Sequence, residues 1–484
     1  MKKFLSLILA SVLCFSISFA FGCQKSSSNL SSYDIEVAYK DGQIDGVMTL
    51  DYFNDTDNAL DQLKFNLYLN AFREGAKYSP IAAQYSARGY YDGINYGYME
   101  ILSVKSLEEN LSFSIKGEDE NILVVDLKET LYPEERVSVS ITYKAKLAKV
   151  ISRSGINQSA INLANFYPIL CGYDQNGFYE CIYYSNGDPY YSDCADYNVK
   201  LILDKNYTVA ASGKLVKEWT EEGKTIKEYT LSCARSFALC FSENFESVTD
   251  TSTGVEIIYY FYDDSMPNKA IDSAVKSIKL FTEKFGEYPY PTYSIVQTKF
   301  LQGGMEFPAL VMISDSLEEA AYVEVIVHET AHQWWQTTVG NNEIEYGFLD
   351  EGLAEYSVVI FYENYPEYNF TREKLIESSE KTYKMYCTVY DKLFGEVDTK
   401  MIKNLGEFKG EYEYVNLAYV KPCIMYEYLR KTVGDKNFFQ SLKRYYNEYK
   451  FKNANPDSLM GAFEKCGNDT NSFFTSFFEG KVII

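Results

Sequence analysis

The chain has 484 residues, too many for one ordinary hydrophobic core, so we expect two or three domains. Hydrophobic residues make up 46% of the sequence and charged residues 24%, which is typical of globular protein and not of a disordered chain. Lys and Arg number 46 and Asp and Glu number 68, giving a formal net charge of −22. This balance argues against binding to nucleic acid and against broad contact with anionic lipid headgroups.

The first 22 residues have the pattern of an export signal. Two lysines precede a stretch of apolar and small residues that runs to Gly22. Cys23 and the Ser-rich stretch after it resemble a bacterial lipoprotein signal, in which cleavage leaves a cysteine that carries lipid. We expect a signal peptide at 1–22, a lipidated Cys23 with a flexible tether at 23–32, and anchoring to the outer face of the bacterial cell membrane, at the cell surface or in the periplasm. Simple signal cleavage and an uncleaved anchor stay open, and each exports the rest of the chain.

Residues 33–245 are expected to form a β-rich domain. Apolar and polar residues alternate over 63–69 and again over 137–143, and this period of two indicates half-buried strands. Many such strands, separated by Asn, Gly and Asp, favour an antiparallel arrangement.

Residues 246–484 change character, because helical spacing dominates after a last strand candidate at 255–262. One helix is predicted at about 268–285. Another helix is predicted to begin near Ser316, where Ser316 and Glu319 fit a capping box. It is predicted to continue to about Val339 and to end at Gly340, a residue suited to terminating a helix. Four apolar or aromatic residues lie at helical spacing near the C-terminus, and we interpret them as core residues of a helix: Phe438, Leu442, Tyr445 and Tyr449.

Two histidines flank a glutamate in the sequence Val327-His328-Glu329-Thr330-Ala331-His332. Residues four apart share one face of a helix, so both imidazoles can reach one metal ion while Glu329 acts on a water molecule that the metal activates. The chain contains 2 His, and both lie in this motif. A bare match also arises by chance, but histidines used nowhere else and placed in this way are better explained as metal ligands than as structural residues.

The third ligand cannot be another histidine, so it must be a carboxylate or a thiolate. Glu351 follows His332 after a gap that allows a loop and a second helix to return to the metal. Glu355 lies one helical turn later and is a candidate for a hydrogen bond to one of the metal-binding side chains. In so acidic a chain a single Glu is more often a surface residue, and this alternative stays open.

The lack of a further histidine also limits how the reaction is stabilised. Hydrolysis of an amide builds negative charge on the carbonyl oxygen, and some enzymes with this motif use another His as the hydrogen-bond donor. Tyrosine is the natural substitute, because its hydroxyl can donate a hydrogen bond. With 45 Tyr in the chain, composition alone does not choose one.

Four ordered segments together resemble the aminopeptidase N family of zinc metallopeptidases, gluzincins that also include leukotriene hydrolase. The segments are His328-Glu329-Thr330-Ala331-His332-Gln333-Trp334-Trp335, Leu349-Asp350-Glu351-Gly352-Leu353-Ala354, Gly303-Gly304-Met305-Glu306-Phe307-Pro308 and Tyr419-Val420-Lys421. A fifth stretch, from Gly187 to Asp193, looks like a segment of short bacterial members. The resemblance runs from about residue 35 to the end. It implies an α+β multidomain fold, in which an N-terminal antiparallel β domain precedes a thermolysin-like, mainly helical zinc catalytic domain, and we expect no large helical domain after that.

The resemblance implies a role for each matched residue and peptides with a free amino terminus as partners. The implied roles are as follows: His328, His332 and Glu351 hold one Zn²⁺ per chain, Glu329 is the general base, Tyr419 stabilises the oxyanion, Glu306 pairs with the substrate's α-ammonium, and Gly303, Gly304 and Met305 contact the substrate.

Three residues depart from the family's pattern. Phe307 replaces an Asn, Pro422 replaces a Gly, and Asp350 stands where many members have Asn. The substitution at 307 affects alignment of the substrate backbone, and Pro422 restricts the backbone near Tyr419. The family's second amine-binding residue belongs to the β domain, where Gln158 is only a guess.

The sequence therefore favours a zinc-dependent aminopeptidase that acts on peptides outside the cytoplasm. Two alternatives stay open. One keeps the zinc site but makes the enzyme an endopeptidase or a hydrolase of another small substrate. The other is a catalytically inactive lipoprotein that binds a partner at the cell surface.

Overall fold

The computed structural model describes residues 29–482. The predicted signal peptide and Cys23 lie outside these residues. Within 29–482, no helix combines the length and the apolar character needed to cross a bilayer. The predicted tether is two residues too long, because Ser31 and Ser32 already belong to the first strand, where the Ser31 hydroxyl accepts a hydrogen bond from the backbone N–H of Phe53.

The N-terminal domain consists of strands, short helical turns and loops. Its strands are β1 (Ser31–Lys40), β2 (Gln43–Phe53), β3 (Leu60–Asn66), β4 (Tyr98–Ser106), β5 (Glu109–Asn110), β6 (Phe113–Lys116), β7 (Ile122–Leu131), β8 (Arg136–Lys146), β9 (Ser154–Ile156), β10 (Ile161–Leu163), β11 (Ile169–Leu170), β12 (Tyr173–Asp174), β13 (Gly177–Phe178), β14 (Ala195–Leu203), β15 (Thr208–Ala211), β16 (Lys214–Glu221), β17 (Lys224–Ala234) and β18 (Leu239–Ser242). Two 3₁₀ turns, Tyr68–Phe72 and Ala83–Tyr85, and the short helix α1 (Ser86–Gly89) interrupt them.

Three larger sheets and one hairpin make up this domain. The largest sheet has the order β16-β17-β14-β1-β2-β8-β4-β5, and two four-stranded sheets have the orders β15-β18-β10-β9 and β11-β3-β7-β6. All of these pairs are antiparallel except β1 with β14, which is parallel. The expected antiparallel β domain is therefore confirmed with one exception.

Alternation predicts one strand well and another only in part. In β8 the side chains of Val139, Ile141 and Tyr143 are buried and the residues between them are half-buried. In the stretch 63–69 the strand ends at Asn66 and a 3₁₀ turn follows. The prediction fails there because consecutive residues, Leu67 to Leu69, are all buried and no longer alternate.

The second domain begins with a five-stranded sheet and continues with helices. The sheet has the order β19-β20-β21-β23-β22, with strands β19 (Glu246–Asp250), β20 (Glu256–Phe261), β21 (Thr292–Thr298), β22 (Gly304–Phe307) and β23 (Leu310–Ser314). The helices are α2 (Pro267–Lys284), α3 (Glu319–Ala331), α4 (Glu343–Tyr346), α5 (Phe348–Asn364), α6 (Arg372–Phe394), α7 (Glu411–Tyr414), α8 (Lys421–Val433), α9 (Asp435–Tyr449), α10 (Pro456–Glu464) and α11 (Asn471–Phe478). Two short parallel strands, β24 (Val339–Asn341) and β25 (Lys452–Ala454), pair separately. The remaining turns are 3₁₀ segments at Pro366–Tyr368 and Leu405–Glu407 and a π-helical turn at Val415–Val420.

The helix that carries the metal motif begins later than predicted. Glu318 precedes α3, and no side chain caps the helix. The Ser316 hydroxyl instead shares a hydrogen bond with the Ser314 hydroxyl. The predicted capping box of Ser316 with Glu319 is therefore wrong.

The same helix ends eight residues before the predicted end at Val339. The hydroxyls of Thr337 and Thr338 both donate to the carbonyl of Gln333, which closes the chain into a turn. Val339 then pairs with β25 as part of β24. Gly340 is not a helix exit, because it lies in this strand against the guanidinium of Arg235, where a Cβ would meet Arg235 Cζ at 2.0 Å.

Candidate metal centre and active-site cleft

A cleft of about 340 Å³ lies where the two domains meet. The edge strand β22 and helix α3 form two of its walls, and the start of α5 and the π-helical turn at Val415–Val420 contribute further side chains. The loop at 185–188 from the β domain completes the lining. Elements far apart in sequence therefore present their polar side chains to one space.

Three side chains converge at the centre of this cleft. His328 Nε2 lies 3.1 Å from His332 Nε2 and 3.2 Å from Glu351 Oε2, and His332 Nε2 lies 3.1 Å from the same carboxylate oxygen. Helix α3 supplies both imidazoles from one face, and α5 brings Glu351 across from them. The three atoms thus surround a single point.

Hydrogen bonds from behind hold the two imidazoles in place. His332 Nδ1 lies 2.9 Å from the carbonyl oxygen of Trp335, so Nδ1 carries the proton and Nε2 presents its lone pair to the centre. His328 Nδ1 lies 3.3 Å from a carboxylate oxygen of Glu355, the residue predicted to contact a ligand. Such contacts fix the ring orientation that metal ligation needs.

The carboxylates around the two histidines stabilise positive charge at the centre of the site. Burial opposes protonation of His328, but the hydrogen bonds that the protonated ring donates to Glu351 and Glu355 outweigh burial and raise its pKa to about 10. Burial likewise opposes ionisation of Glu351, yet the two imidazoles lower its pKa to about 2. The site therefore favours a net cation at its centre.

The geometry and the donor set both fit a zinc ion. Tetrahedral zinc with bonds of about 2.0–2.1 Å separates its ligand atoms by about 3.3 Å, close to the 3.1–3.2 Å found between the three donors. Two imidazoles and one carboxylate are a ligand set that zinc uses in hydrolytic sites. His328, His332 and Glu351 are the residues that would hold it.

Glu329 points into the cleft beside the three donors. It is 5% exposed, and its Oε2 has no hydrogen-bond partner among the described residues. Burial raises its pKa to about 7, against the lowering effect of the two histidines. Gly304 on β22 makes room for this carboxylate, because a Cβ at 304 would lie 2.4 Å from Glu329 Oε1.

Tyr419 reaches the centre from the opposite wall. Its ring stacks on that of His328, with centroids 5.9 Å apart and an interplanar angle of 11°. Its hydroxyl donates a hydrogen bond to Glu351 Oε1. The residue belongs to the π-helical turn, a local irregularity that often occurs at functional sites.

One end of the cleft is strongly acidic. Glu306 on β22 is buried, and its Oε1 has no partner among the described residues. Asp188 and Glu343 approach it, and Arg153 forms an ion pair with Asp188. Sequence reasoning did not assign Asp188, Arg153 or Glu343. The resemblance over 187–193 could have drawn attention to Asp188, whereas Glu343 and Arg153 carried no comparable signal.

The structure brings nearly all of the predicted site residues to this cleft. Its lining includes seven residues named from sequence besides Glu329 and Tyr419: Gly303, Gly304, Met305, Glu306, His328, His332 and Glu351. Gln158 is not among them, since it is exposed on the β domain and outside the lining. The guess that Gln158 binds the substrate amine is therefore not supported.

The three departures from the family's pattern have local explanations. Phe307 is buried and pairs with Leu310 in the β22–β23 hairpin. Asp350 accepts a hydrogen bond from the backbone N–H of Glu351. Pro422 lies in the first turn of α8, where proline is tolerated, and packs against Gly352, at which a Cβ would meet the proline Cβ at 2.4 Å.

Comparison with known proteins identifies the second domain. Residues 269–477 match the family model described as peptidase family M1 domain. The chain carries a peptidase family M1 domain. This M1 domain contains the three donors, Glu329, Glu306 and Tyr419, whereas Asp188 and Arg153 belong to the β domain.

Two curated relatives carry aminopeptidase names. Aminopeptidase M1-A of Oryza sativa subsp. japonica is 26% identical over 238 residues, which cover 46% of this chain and 26% of that protein. Probable aminopeptidase 1 of Saccharolobus solfataricus is 22% identical over 416 residues, which cover 78% of this chain and 48% of that protein. The chain thus spans less than half the length of these two relatives.

A solved structure matches almost the whole chain. The M1 zinc metallopeptidase from Deinococcus radiodurans superposes with a TM-score of 0.67 at 16% sequence identity, covering 94% of this chain and 95% of that one. The predicted fold class, a β-rich domain followed by a mainly helical one, is confirmed by this match.

Proposed function

We propose that the protein is a zinc-dependent aminopeptidase that removes residues from the free amino terminus of peptides. The observation that carries the proposal is the convergence of His328, His332 and Glu351 beside a buried, unpartnered Glu329. The aminopeptidase names of the curated relatives support the same reaction class.

The chain's own residues supply proton transfer and charge stabilisation. Zinc held by the three donors would act as a Lewis acid that polarises the scissile carbonyl and makes a water molecule more acidic. Glu329 takes the proton from the attacking water and returns it to the leaving amine. The Tyr419 hydroxyl donates a hydrogen bond to the oxygen on which negative charge develops.

Glu306 gives the proposed reaction its exopeptidase character. Its buried carboxylate lies at the acidic end of the cleft, where the substrate's α-ammonium can pair with it. A peptide bond in the middle of a chain would present an uncharged amide to this carboxylate, and a buried charge without a partner is costly. The arrangement therefore favours cleavage after the first residue over endopeptidase action.

We further propose that this aminopeptidase acts outside the cytoplasm and is anchored by lipid on Cys23. Support comes from the sequence of the first 32 residues. Mass spectrometry of the membrane-associated protein tests this directly, because a lipid-modified Cys23 at the mature amino terminus is expected. A mature chain that retains residues 1–22, or that begins elsewhere, contradicts the anchor.

Hydrolysis of aminoacyl fluorogenic substrates tests the catalytic proposal. The chain from Gln24 onward is assayed with and without a chelator, and then with zinc restored. Cleavage that chelation abolishes and zinc restores is expected, together with no cleavage of the N-acetylated forms. Equal cleavage of acetylated and free substrates would reject the aminopeptidase assignment in favour of an endopeptidase. A zinc-loaded protein that cleaves no peptide would point to the binding lipoprotein.

A further inference from the structure

The edge strand β22 and the motif helix α3 form a groove that has a direction. Their residues meet in the same order along both elements: Glu306 with His332, Gly304 with Glu329, and Gly303 with Val325. A Cβ on Gly304 would lie 2.4 Å from Glu329 Oε1, and a Cβ on Gly303 would lie 3.1 Å from Val325 Cγ2. A peptide whose amino terminus pairs with Glu306 and whose first peptide bond lies at Glu329 therefore continues towards Val325.

Glu324 stands in this part of the groove, beyond the first peptide bond. It lies on α3 one turn before His328 and lines the cleft. Along the helix axis it is about 7.5 Å from the level of Glu329. Its side chain is half-buried and has no hydrogen-bond or ion-pair partner among the described residues. The carboxylate is thus within reach of a long side chain on the second residue of a bound peptide.

The protein supplies no cation to Glu324 within the described part of the cleft. Burial and the Glu355 carboxylate raise the pKa of Glu324, against the lowering effect of His328. Among the described residues that line the cleft, the one Lys or Arg is Arg153, which pairs with Asp188 of the β domain. A peptide that fills the groove displaces water from the unpaired carboxylate of Glu324. This costs free energy unless the peptide itself brings a positive charge.

We propose that Glu324 selects for lysine or arginine at the second residue of the peptide, the residue that becomes the new amino terminus. The inference rests on the proposed function and narrows its substrate class. Both side chains have an apolar stem that can extend along Val325 while the charged group pairs with Glu324. Because the pair is only partly exposed to water, we expect about five- to tenfold tighter binding than for a neutral second residue. An acidic second residue meets like charge and is expected to bind most weakly.

Calorimetric binding of matched tripeptide amides tests this selection without turnover. The zinc-loaded Glu329→Gln variant of the chain from Gln24 onward is used, because without the general base it leaves the peptides intact. We expect it to bind Leu-Lys-Ala-NH₂ about five- to tenfold more tightly than Leu-Met-Ala-NH₂, whose methionine is neutral and also unbranched. Leu-Glu-Ala-NH₂ is expected to bind more weakly than both.

The outcomes separate this inference from the proposed function. Equal affinities for the lysine and the methionine peptide overturn the selection by Glu324, even if the wild-type chain cleaves both. A protein that binds none of the three peptides overturns the selection and the aminopeptidase assignment together. Leu-Ala-Lys-NH₂ tests the position, since an equal or larger gain from lysine at the third residue overturns the assignment to the second.

Glu324→Gln, added to Glu329→Gln, shows whether this carboxylate is responsible. The amide keeps the shape of the side chain and removes its charge. We expect the affinities for the lysine and the methionine peptide to come within about twofold of each other, through weaker binding of the lysine peptide. The affinity for the methionine peptide is expected to stay the same or to rise. An unchanged preference for lysine overturns the proposal.

Glu318→Gln is the matched control, because Glu318 is exposed at the start of the same helix and lies outside the cleft lining. It removes the same charge about 9 Å further along the helix axis. In the Glu329→Gln background, the preference for lysine is expected to change by less than about twofold. A loss of preference equal to that in Glu324→Gln would assign the effect to the general charge of the protein and overturn the specific contact.

Discussion

Glu329 is a buried carboxylate whose Oε2 has no partner among the described residues, while three metal donors lie beside it. An acid in this position is held for a proton transfer rather than for packing, because an unsatisfied buried oxygen costs folding free energy. The residue's role is therefore separable from metal binding. A substitution that keeps its shape should separate the two experimentally.

Glu329→Gln is expected to lower kcat by about 10²- to 10⁴-fold and to leave the zinc content unchanged. The amide has the same shape but cannot accept the proton, and the three donors are untouched. Steady-state kinetics and metal analysis on one preparation check both parts. Glu318→Gln, which removes an exposed charge at the start of the same helix, serves as the control. Activity within threefold of the wild type would remove Glu329 from the mechanism.

Tyr419→Phe is expected to lower kcat by about 10²- to 10³-fold with little change in KM, because the hydroxyl acts on charge that develops during the reaction. The ring and its stacking on His328 are retained. Tyr412→Phe is the control, since Tyr412 is exposed on the preceding helix α7. An unchanged kcat in Tyr419→Phe would assign the oxyanion contact to another donor.

Sequence reasoning found the residues that a short motif or an ordered resemblance marks, such as His328 and Glu351. It could not find Glu343. With 68 Asp and Glu in the chain, a single glutamate carries almost no information until the fold shows that it is buried beside two other carboxylates. Gln158 was a guess for the amine-binding residue of the β domain, but it is exposed and lies outside the cleft, whereas Asp188 of the same domain lines the cleft.

At the scale of elements, the junction of the π-helical turn with α8 carries Tyr419 and is tied down by a buried lysine. Lys421 Nζ donates to the carbonyl oxygens of Thr399 and Phe477, the latter 3.0 Å away at the end of α11. No carboxylate pairs with this ammonium among the described residues. Burial accordingly lowers the pKa of Lys421 to about 8 from its ordinary 10.5.

This shift predicts a stability that rises with pH. Between about pH 8 and 10.5 the unfolded chain holds a proton on Lys421 that the folded chain has released, so the free energy of unfolding increases across that window. We expect an increment on the order of 1–3 kcal/mol, present in the wild type and missing in Lys421→Met. Urea unfolding of both proteins from pH 7 to 10.5 measures it. Parallel pH profiles would show that Lys421 is not perturbed.

Element boundaries were predicted less well than element types. The motif helix was found, but its capping box and its length were wrong. The Ser316 hydroxyl bonds to that of Ser314 and does not cap the helix, and the hydroxyls of Thr337 and Thr338 donate to the Gln333 carbonyl where the helix was expected to continue. Local pattern shows which residues favour a helix. It does not show where a side chain finds a better partner in the tertiary structure.

At the scale of the whole molecule, Arg235 joins the β domain to the M1 domain. Its guanidinium donates to the carbonyl oxygens of Ser192, Gln336 and Lys452 and to Asn453 Oδ1. Gly340 has no side chain where this group passes. The contact fixes the β-domain loops near the cleft, including the loop that carries Asp188.

Arg235→Ala is expected to lower the free energy of unfolding by about 3 kcal/mol or more, because several buried acceptors lose their donor. Gly340→Ala should act through the same contact by displacing the guanidinium. The double variant should therefore cost little more than the larger single change. Denaturant unfolding of the four proteins checks this. Additive effects would show that the two positions act independently.

The division into a β-rich and a mainly helical domain followed from patterns of period two and 3.6, since each domain buries its own apolar faces. Contacts between the domains did not follow from the sequence. Arg235 is one of 46 basic residues, and nothing near it in the sequence indicates that four acceptors from both domains surround it.

The acidic end of the cleft sets a stopping point for an entering chain. Glu306 is buried there and lines the cleft, so under the proposed function a peptide can advance only until its amino terminus reaches this carboxylate. After each cut the shortened peptide has lost its anchor and must move up by one residue, or leave and return. A peptide would therefore be shortened stepwise, and a time course should show a ladder of products that differ by single residues.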